Sequence, residues 1–330
     1  MSRSGVYKTR GSPLLIENGM IPQKLREVIL SKKCFVFIGS GLSSGSYHSW
    51  LDLVNAICER CGITRRVTRD SPTDELLYAA QDAKVSNKDA YYRFLGEHFG
   101  RSVDKIPVLY DLVLSLPFAC YLTFNYDPLL ALKARLSNSQ CVFPVKAYPS
   151  LDRRQMVPRS IHYLHGFIDV GTTPVEGTIV LARDEFAEAY SDNSNLMNLI
   201  VPTLENDPVL FIGCGLREPS MPKIFAICKE HQRKRQQIMA ESGTPPSNPP
   251  ARYILLPRPA VTNEVDVSDV DQSQIEIDRQ QAYYSSLEIE PVWYENRGND
   301  YSSLRNALDQ MAGLPAVAPD HGWQGGVYAR

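Results

Sequence analysis

The segment Leu122-Thr123-Phe124-Asn125-Tyr126-Asp127 places an amide and a carboxylate at the end of an apolar, strand-like run, just before Pro128 and a helical pattern. Strand ends are where α/β proteins keep their chemistry. In an extended chain alternate side chains share a face, so Asn125 and Asp127 are expected to point one way and Tyr126 the other. Asp127 before Pro128 also has the form of a helix N-cap with proline at the first helical position, a role that does not exclude ligand contact. Asn125 has no such capping role and reads as a group that holds a ligand or a water.

Three further stretches carry candidate chemistry. Ile161-His162-Tyr163-Leu164-His165-Gly166 offers two histidines at a strand end, on opposite faces by alternation. His165 stands beside Gly166, where the chain leaves the sheet, and is the candidate base; His162 is expected to be structural. Gly39-Ser40-Gly41-Leu42-Ser43 follows the apolar run Cys34–Ile38. It reads either as a backbone that a phosphate-rich ligand can approach, with the following helix supplying amide hydrogens and a positive dipole end, or as a tight strand-to-helix turn. Its spacing departs from the usual dinucleotide fingerprint, because the next glycine falls at 45 rather than 44. Gly213-Cys214-Gly215-Leu216-Arg217-Glu218-Pro219 repeats the device after Val209–Ile212, as a second nucleotide wall or another turn, with Glu218 near a helix start. Cys58 and Cys61 lie on an apolar helical pattern without a second pair at zinc-ribbon spacing, so they read as core residues. Lys229, Arg233, Lys234 and Arg235 read as a solvated helix face.

The elements that position these residues alternate between strand and helix. Strands are expected at Cys34–Ile38, Ala119–Phe124, Cys141–Val145, Ile161–Leu164, Thr178–Leu181, Val209–Ile212, Tyr253–Leu256 and Ile289–Tyr294. Helical patterns fall between them, and those at Asp74–Lys84, Asn87–Phe99 and Val108–Leu116 form a module of about residues 70–117 that could cover a ligand. The pattern predicts an α/β, Rossmann-like, mainly parallel sheet with helices on both faces and this small helical module inserted. Residues 1–29 are expected to extend from a domain of residues 30–312, and residues 313–330 to form a loose tail. Residues 259–280 read as a mobile, polar and acidic insertion.

Composition sets outer bounds. The 330 residues are 43% hydrophobic and 22% charged, ordinary for a soluble globular protein. A net charge of -2 argues against a general nucleic-acid binder or a basic membrane binder. Seven scattered cysteines form no disulfide framework and suit a cytoplasmic protein. No apolar signal core follows Arg3, Lys8 and Arg10, and the apolar window 106–124 is broken by Pro107, Asp111 and Pro117, so neither a signal peptide nor a membrane span is expected.

Taken together, the turn at 39–43, Thr-Phe-Asn-Tyr-Asp at 123–127, Leu-His-Gly at 164–166 and Phe-Ile-Gly-Cys-Gly-Leu at 211–216 resemble the sirtuin family, in particular the sirtuin-like NAD hydrolases of bacterial antiphage defence. Val292-Trp293-Tyr294 and Leu304-Arg305-Asn306-Ala307-Leu308 extend the resemblance, which covers about residues 30–312. It implies that NAD is the substrate, that Asn125 holds the nicotinamide ribose or the attacking water, that His165 is the base and that Asp127 supports them. Gly39, Ser40, Gly41 and Ser43 would cradle the diphosphate, and Gly213 and Gly215 would line the nucleotide site.

Protein-deacylating sirtuins usually carry a four-cysteine zinc ribbon, and a Pro-Asp-Phe-Arg segment soon after the glycine turn. This chain has neither; Gly45-Ser46-Tyr47-His48-Ser49-Trp50 stands at the latter place. Deacylation loses support, no zinc is expected, and NAD cleavage stays intact. The expected activity is NAD glycohydrolysis to nicotinamide and ADP-ribose. The rivals are a non-catalytic NAD or ADP-ribose sensor and, less favoured, an NAD-dependent deacylase. Unchecked turnover would be toxic, and the sequence carries no appended sensor, so gating is expected from homo-oligomerisation or a separately encoded ATPase or sensor partner. The 259–280 insertion and the 315–330 tail are the candidate contact surfaces.

Overall fold

The computed structural model describes residues 14–16, 21–137, 143–245, 248–259, 267–296 and 301–313. The chain opens with β1 (Leu14–Leu15) and α1 (Gln23–Leu30), then β2 (Phe35–Ile38) and α2 (Trp50–Arg60). Three helices follow, α3 (Thr73–Ser86), α4 (Lys88–Phe99) and α5 (Leu109–Ser115), before β3 (Cys120–Thr123) and α6 (Leu129–Ser137). Next come β4 (Val145–Ala147), β5 (Ser160–Tyr163), α7 (Arg183–Ala189) and α8 (Asn195–Asn206). The last six elements are β6 (Val209–Ile212), α9 (Ser220–Glu241), β7 (Arg252–Pro257), α10 (Val267–Ser286), β8 (Glu290–Tyr294) and α11 (Ser302–Met311).

Among the described residues the eight strands form one sheet in the order β1-β8-β7-β6-β2-β3-β5-β4. Every neighbouring pair is parallel. Strand alternation splits the core in two. Val36, Ile38, Tyr121, Leu210 and Leu255 join one apolar cluster with residues of α1, α2, α4, α5, α6 and α11. Phe37, Leu122, Phe211, Ile254 and Trp293 join a second with residues of α8, α9 and α10. Both faces are therefore covered, which is why the strands read as unbroken apolar runs rather than as alternating ones. The α/β, Rossmann-like architecture matches the expectation.

The chain starts the central sheet at β2, places β3, β4 and β5 on one side of it, then returns to place β6 and β7 on the other. The switch point lies between β2 and β6, and open α/β sheets form their ligand crevice at the carboxyl ends of such strands. Here the two glycine turns touch. Gly39 N donates to Ile212 O at 2.9 Å and Gly41 N to Gly213 O at 3.0 Å. A Cβ on Gly39 would sit 2.3 Å from Gly213 O.

Three expectations are corrected. Thr178–Leu181 forms no strand. Val180 N reaches His165 O (2.9 Å) and Val180 O accepts from the Tyr126 hydroxyl (2.8 Å), single bonds that lay the segment across the strand ends instead of along an edge. The strand expected at Cys141–Val145 lies at Val145–Ala147: Pro144 gives its carbonyl to Ile161 N at 2.8 Å, and the registered pairs begin with Val145 and Ile161 on this edge strand. Residues 141–142 lie outside the described residues. The insertion expected at 259–280 is helical from Val267 onward, as α10, with Ile277 and Tyr284 buried in the second cluster. Residues 260–266 and the expected tail at 315–330 lie outside the described residues. Among the described residues no helix is long and apolar enough to cross a membrane.

The contact between the turns yields a stability test. Gly39→Ala forces backbone against backbone and should cost roughly 2–3 kcal/mol, read as a fall in thermal midpoint. Gly215→Ala, whose Cβ would meet only Arg217 Cγ at 3.9 Å, should stay within about 0.5 kcal/mol of wild type. Equal midpoints for the two variants would show that the contact does not constrain the fold.

Candidate active site

The sheet register brings the motifs to one edge. Ile38 pairs with both Thr123 and Ile212, and Thr123 pairs with Tyr163. Gly39 and Gly213 are thus the next residues beyond their strands, and Asn125 and His165 each stand two residues beyond a registered pair. Thr123 turns the chain out of β3: its hydroxyl donates to Ile38 O (2.9 Å) and accepts from Asn125 N (3.1 Å).

A cleft of about 240 Å³ opens over these strand ends, small-molecule in scale rather than a macromolecular groove. Gly39, Ser40, Ser43, Asn125, Asp127, His165, Gly213 and Gly215 all line it. Of the residues that the resemblance assigns to the site, only Gly41 does not; a Cβ there would press on Gly213 Cα at 2.8 Å. The glycine turn passes into one 3₁₀ turn, Ser40–Ser43, and the helix expected from about Trp50 to Cys61 runs over Trp50–Arg60, capped by Ser49.

Ser43 ties the floor together. Its hydroxyl donates to Asp127 Oδ2 at 2.8 Å. With that one proton spent, the Tyr110 hydroxyl at 2.7 Å must be the donor to Ser43, and Asn125 Nδ2 donates as well at 3.0 Å. Asn125 and Asp127 do converge on one group while the Tyr126 hydroxyl reaches Val180 O, although Tyr126 also lines the cleft. Asp127 is only 3% exposed. Its Oδ1 accepts from Leu129 N at 3.1 Å, so the N-cap role coexists with the site role. Burial pushes its carboxyl up from the usual 3.8 to about 6, outweighing hydrogen bonds from Ser43, Leu129 and Asn125 that favour the charged form.

His165 is held in an aromatic cage. Phe124 and Phe186 each lie 5.1 Å away between ring centroids. Its Nε2 is 2.6 Å from the Tyr190 hydroxyl. Burial pushes its pKa down to about 3, so the ring is neutral at physiological pH. His162 faces away, bonded to Ser160 Oγ at 2.8 Å, and is likewise held neutral at about 4 by burial and Lys146. Cys58 and Cys61 are buried in the apolar core. Among the described residues no group of three or more His, Cys, Asp or Glu side chains stands where it could hold a metal ion.

Sequence reasoning missed Tyr110, Tyr190 and the wall residues Trp50 and Phe186. They sit on ordinary amphipathic helices or at their ends, where an aromatic needed for a site looks like one needed for the core. Glu218 was noted only as an acid near a helix start. It lines the cleft as well, and its Oε2 is buried without a hydrogen-bond partner.

A parallel doubly wound sheet with glycine turns meeting at its switch point brings an amide, a carboxylate and an imidazole to neighbouring strand ends, where open α/β sheets form their ligand crevice. The family model described as SIR2-like domain matches residues 119–283, half of the chain. The chain belongs to the SIR2-like family, which ties its cleft to NAD-related chemistry. Among curated proteins no match is found.

The buried carboxylate makes stability depend on pH. The folded-state value lies above the ordinary one, so the ionised form is disfavoured: Asp127 costs nothing below about pH 4, and its cost is complete above about pH 6. That span is worth on the order of 3 kcal/mol. The thermal midpoint of the wild type, taken relative to Asp127→Asn, should fall as pH rises from 4 to 7. A constant difference would show that the carboxyl titrates normally.

Proposed function

We propose that the chain is an NAD+ glycohydrolase that cleaves the nicotinamide–ribose bond. One observation carries most of the weight: Asn125 and His165 leave adjacent parallel strands at the same register and line one cleft with both glycine turns. Such cleavage develops oxocarbenium character at the sugar, so the protein's tasks are to hold the ribose, exclude bulk solvent and present one water.

The cleft residues suit those tasks. Asn125 gives one amide N–H to Ser43, which fixes the amide's orientation and offers its carbonyl as an acceptor for a ribose hydroxyl or the incoming water. Ser43 and Tyr110 fix that orientation, and Asp127 anchors Ser43. His165 is neutral and able to accept a hydrogen bond. With a value near 3 it is a weak stand-alone base, so we assign it to orienting a hydroxyl and drawing on its proton, with Tyr190 holding the ring. The exposed Ser40, Gly215 and Arg217 at the lip are open to a diphosphate. Resemblance to the antiphage branch supports an NAD-depleting defence effector, gated by assembly or by a separately encoded partner, because unregulated turnover would drain the cell's NAD.

Chromatography of NAD incubated with the purified chain, alone and at concentrations that favour self-association, should show nicotinamide and ADP-ribose. Asn125→Ala and His165→Ala should each lower the rate by ~10²-fold or more while the protein stays folded, as read by a cooperative thermal transition above the assay temperature. Wild-type rates in both variants would refute the assignment. Tight NAD binding with no product from the assembled protein would favour the sensor.

A further inference from the structure

Glu218 follows the second glycine turn. Two features mark it. Its Oε2 is buried and unpartnered on the wall of the cleft. Leaving a carboxylate oxygen desolvated and unpaired is costly, so a retained one in a cleft calls for a donor from outside the chain. Its charge is helped only by its own backbone N–H, and burial raises its pKa.

The backbone that presents it is also built for the purpose. Leu216, two residues earlier, is buried and has φ +49, a left-handed conformation that is uncommon for a leucine. α10 holds this turn from outside: the Tyr283 hydroxyl donates to Leu216 O at 2.6 Å and the Tyr284 hydroxyl to Gly215 O at 3.0 Å. Neither bond involves the Glu218 carboxylate, and Glu218 lines the cleft.

We infer that Glu218 is a ligand-binding residue whose carboxylate accepts hydrogen bonds from the vicinal hydroxyls of a nucleotide ribose, so that the cleft selects an intact ribose diol. This rests on the nucleotide reading of the same cleft. A diol supplies two O–H donors and no charge, which matches an acceptor-only group. A phosphate in that place would meet like charge. The sugar is the adenosine ribose or the one that carries nicotinamide; both present the same diol, and the probes separate them.

The test is calorimetric titration of the full-length wild type, Glu218→Gln and Glu218→Ala with NAD, ADP-ribose, ADP and 2′,3′-dideoxy-ADP. Hydrogen bonds to a charged acceptor predict discrimination of ~10-fold or more. If the adenosine ribose is held, wild type binds ADP at least ~10-fold tighter than dideoxy-ADP, and the difference collapses in both variants. If the other ribose is held, the advantage of ADP-ribose over ADP collapses instead. Wild-type affinities for all four probes in both variants, with wild-type thermal midpoints, would overturn the role of Glu218 while leaving NAD binding standing. Failure of the wild type to bind NAD or ADP-ribose at all would overturn the nucleotide reading itself.

Discussion

The site depends on two backbones touching at the centre of the sheet. At the switch between β2 and β6 the turns after both strands come close enough for Gly41 N to reach Gly213 O, and the space that a Cβ on Gly39 would need is filled by Gly213 O. Gly213 adds a left-handed φ of +66. This contact narrows the crevice to a small-molecule cleft and turns Ser40 and Ser43 on one side, and Gly215 and Glu218 on the other, toward the same space. The glycines therefore answer two demands that look identical in sequence, close packing and close approach of a ligand. Gly41 meets only the first, for it packs on the opposing turn and does not line the cleft.

Beneath that contact the floor disfavours charge of either sign. Burial raises the Asp127 carboxyl and lowers the His165 imidazole, so each group moves toward its neutral form. Fixed dipoles dominate there instead: the Ser43 hydroxyl, the Asn125 amide and the Tyr110 and Tyr190 hydroxyls, each with a defined partner. In a low-dielectric pocket such oriented groups act strongly on a centre that develops charge, and they need no reorganisation to do so. The polar lip is different in kind, with Arg217 exposed to solvent and Glu218 holding an unsatisfied oxygen. A molecule with a charged, hydroxyl-rich body and one reacting bond fits that division.

The sheet was legible because both its faces are buried: Phe35–Ile38, Cys120–Thr123 and Val209–Ile212 are apolar at nearly every position, the first and last run straight into a glycine, and the second ends in Thr123. The pairing of Asn125 with His165 was legible for the same reason, since parallel strands of similar length put their ends together. Thr178–Leu181 misled because burial, rather than pairing, selects its apolar residues. α10 was obscured because a narrow stripe through Ile277 and Tyr284 is diluted by polar neighbours. Tyr110 and Tyr190 gave no signal, because a hydroxyl that reaches a partner 67 or 25 residues away has no local spacing to betray it.

The inserted helices and the far wall of the cleft are mechanically one body. Lys84 of α3 is buried between Asp184 (2.9 Å) and Glu185 (3.0 Å) of α7. Glu185 also accepts from Tyr92 of α4 at 3.1 Å and from the backbone of Leu181 and Ala182. α7 carries Phe186, and Tyr190 follows at its end, so the same helix cages His165. Swinging the helical module outward to admit a ligand would part Lys84 from both carboxylates and take the Tyr92 hydroxyl from Glu185, which would keep only the backbone N–H groups of Leu181 and Ala182. Among the described residues the lip at Gly215–Glu218 carries no such ion pair: two tyrosine hydroxyls from α10 bond its backbone carbonyls, and Leu216 packs in the second apolar cluster. Of the two walls, the one that presents Glu218 is therefore the one that can yield at lower cost, and the wall behind His165 is the one that keeps its geometry.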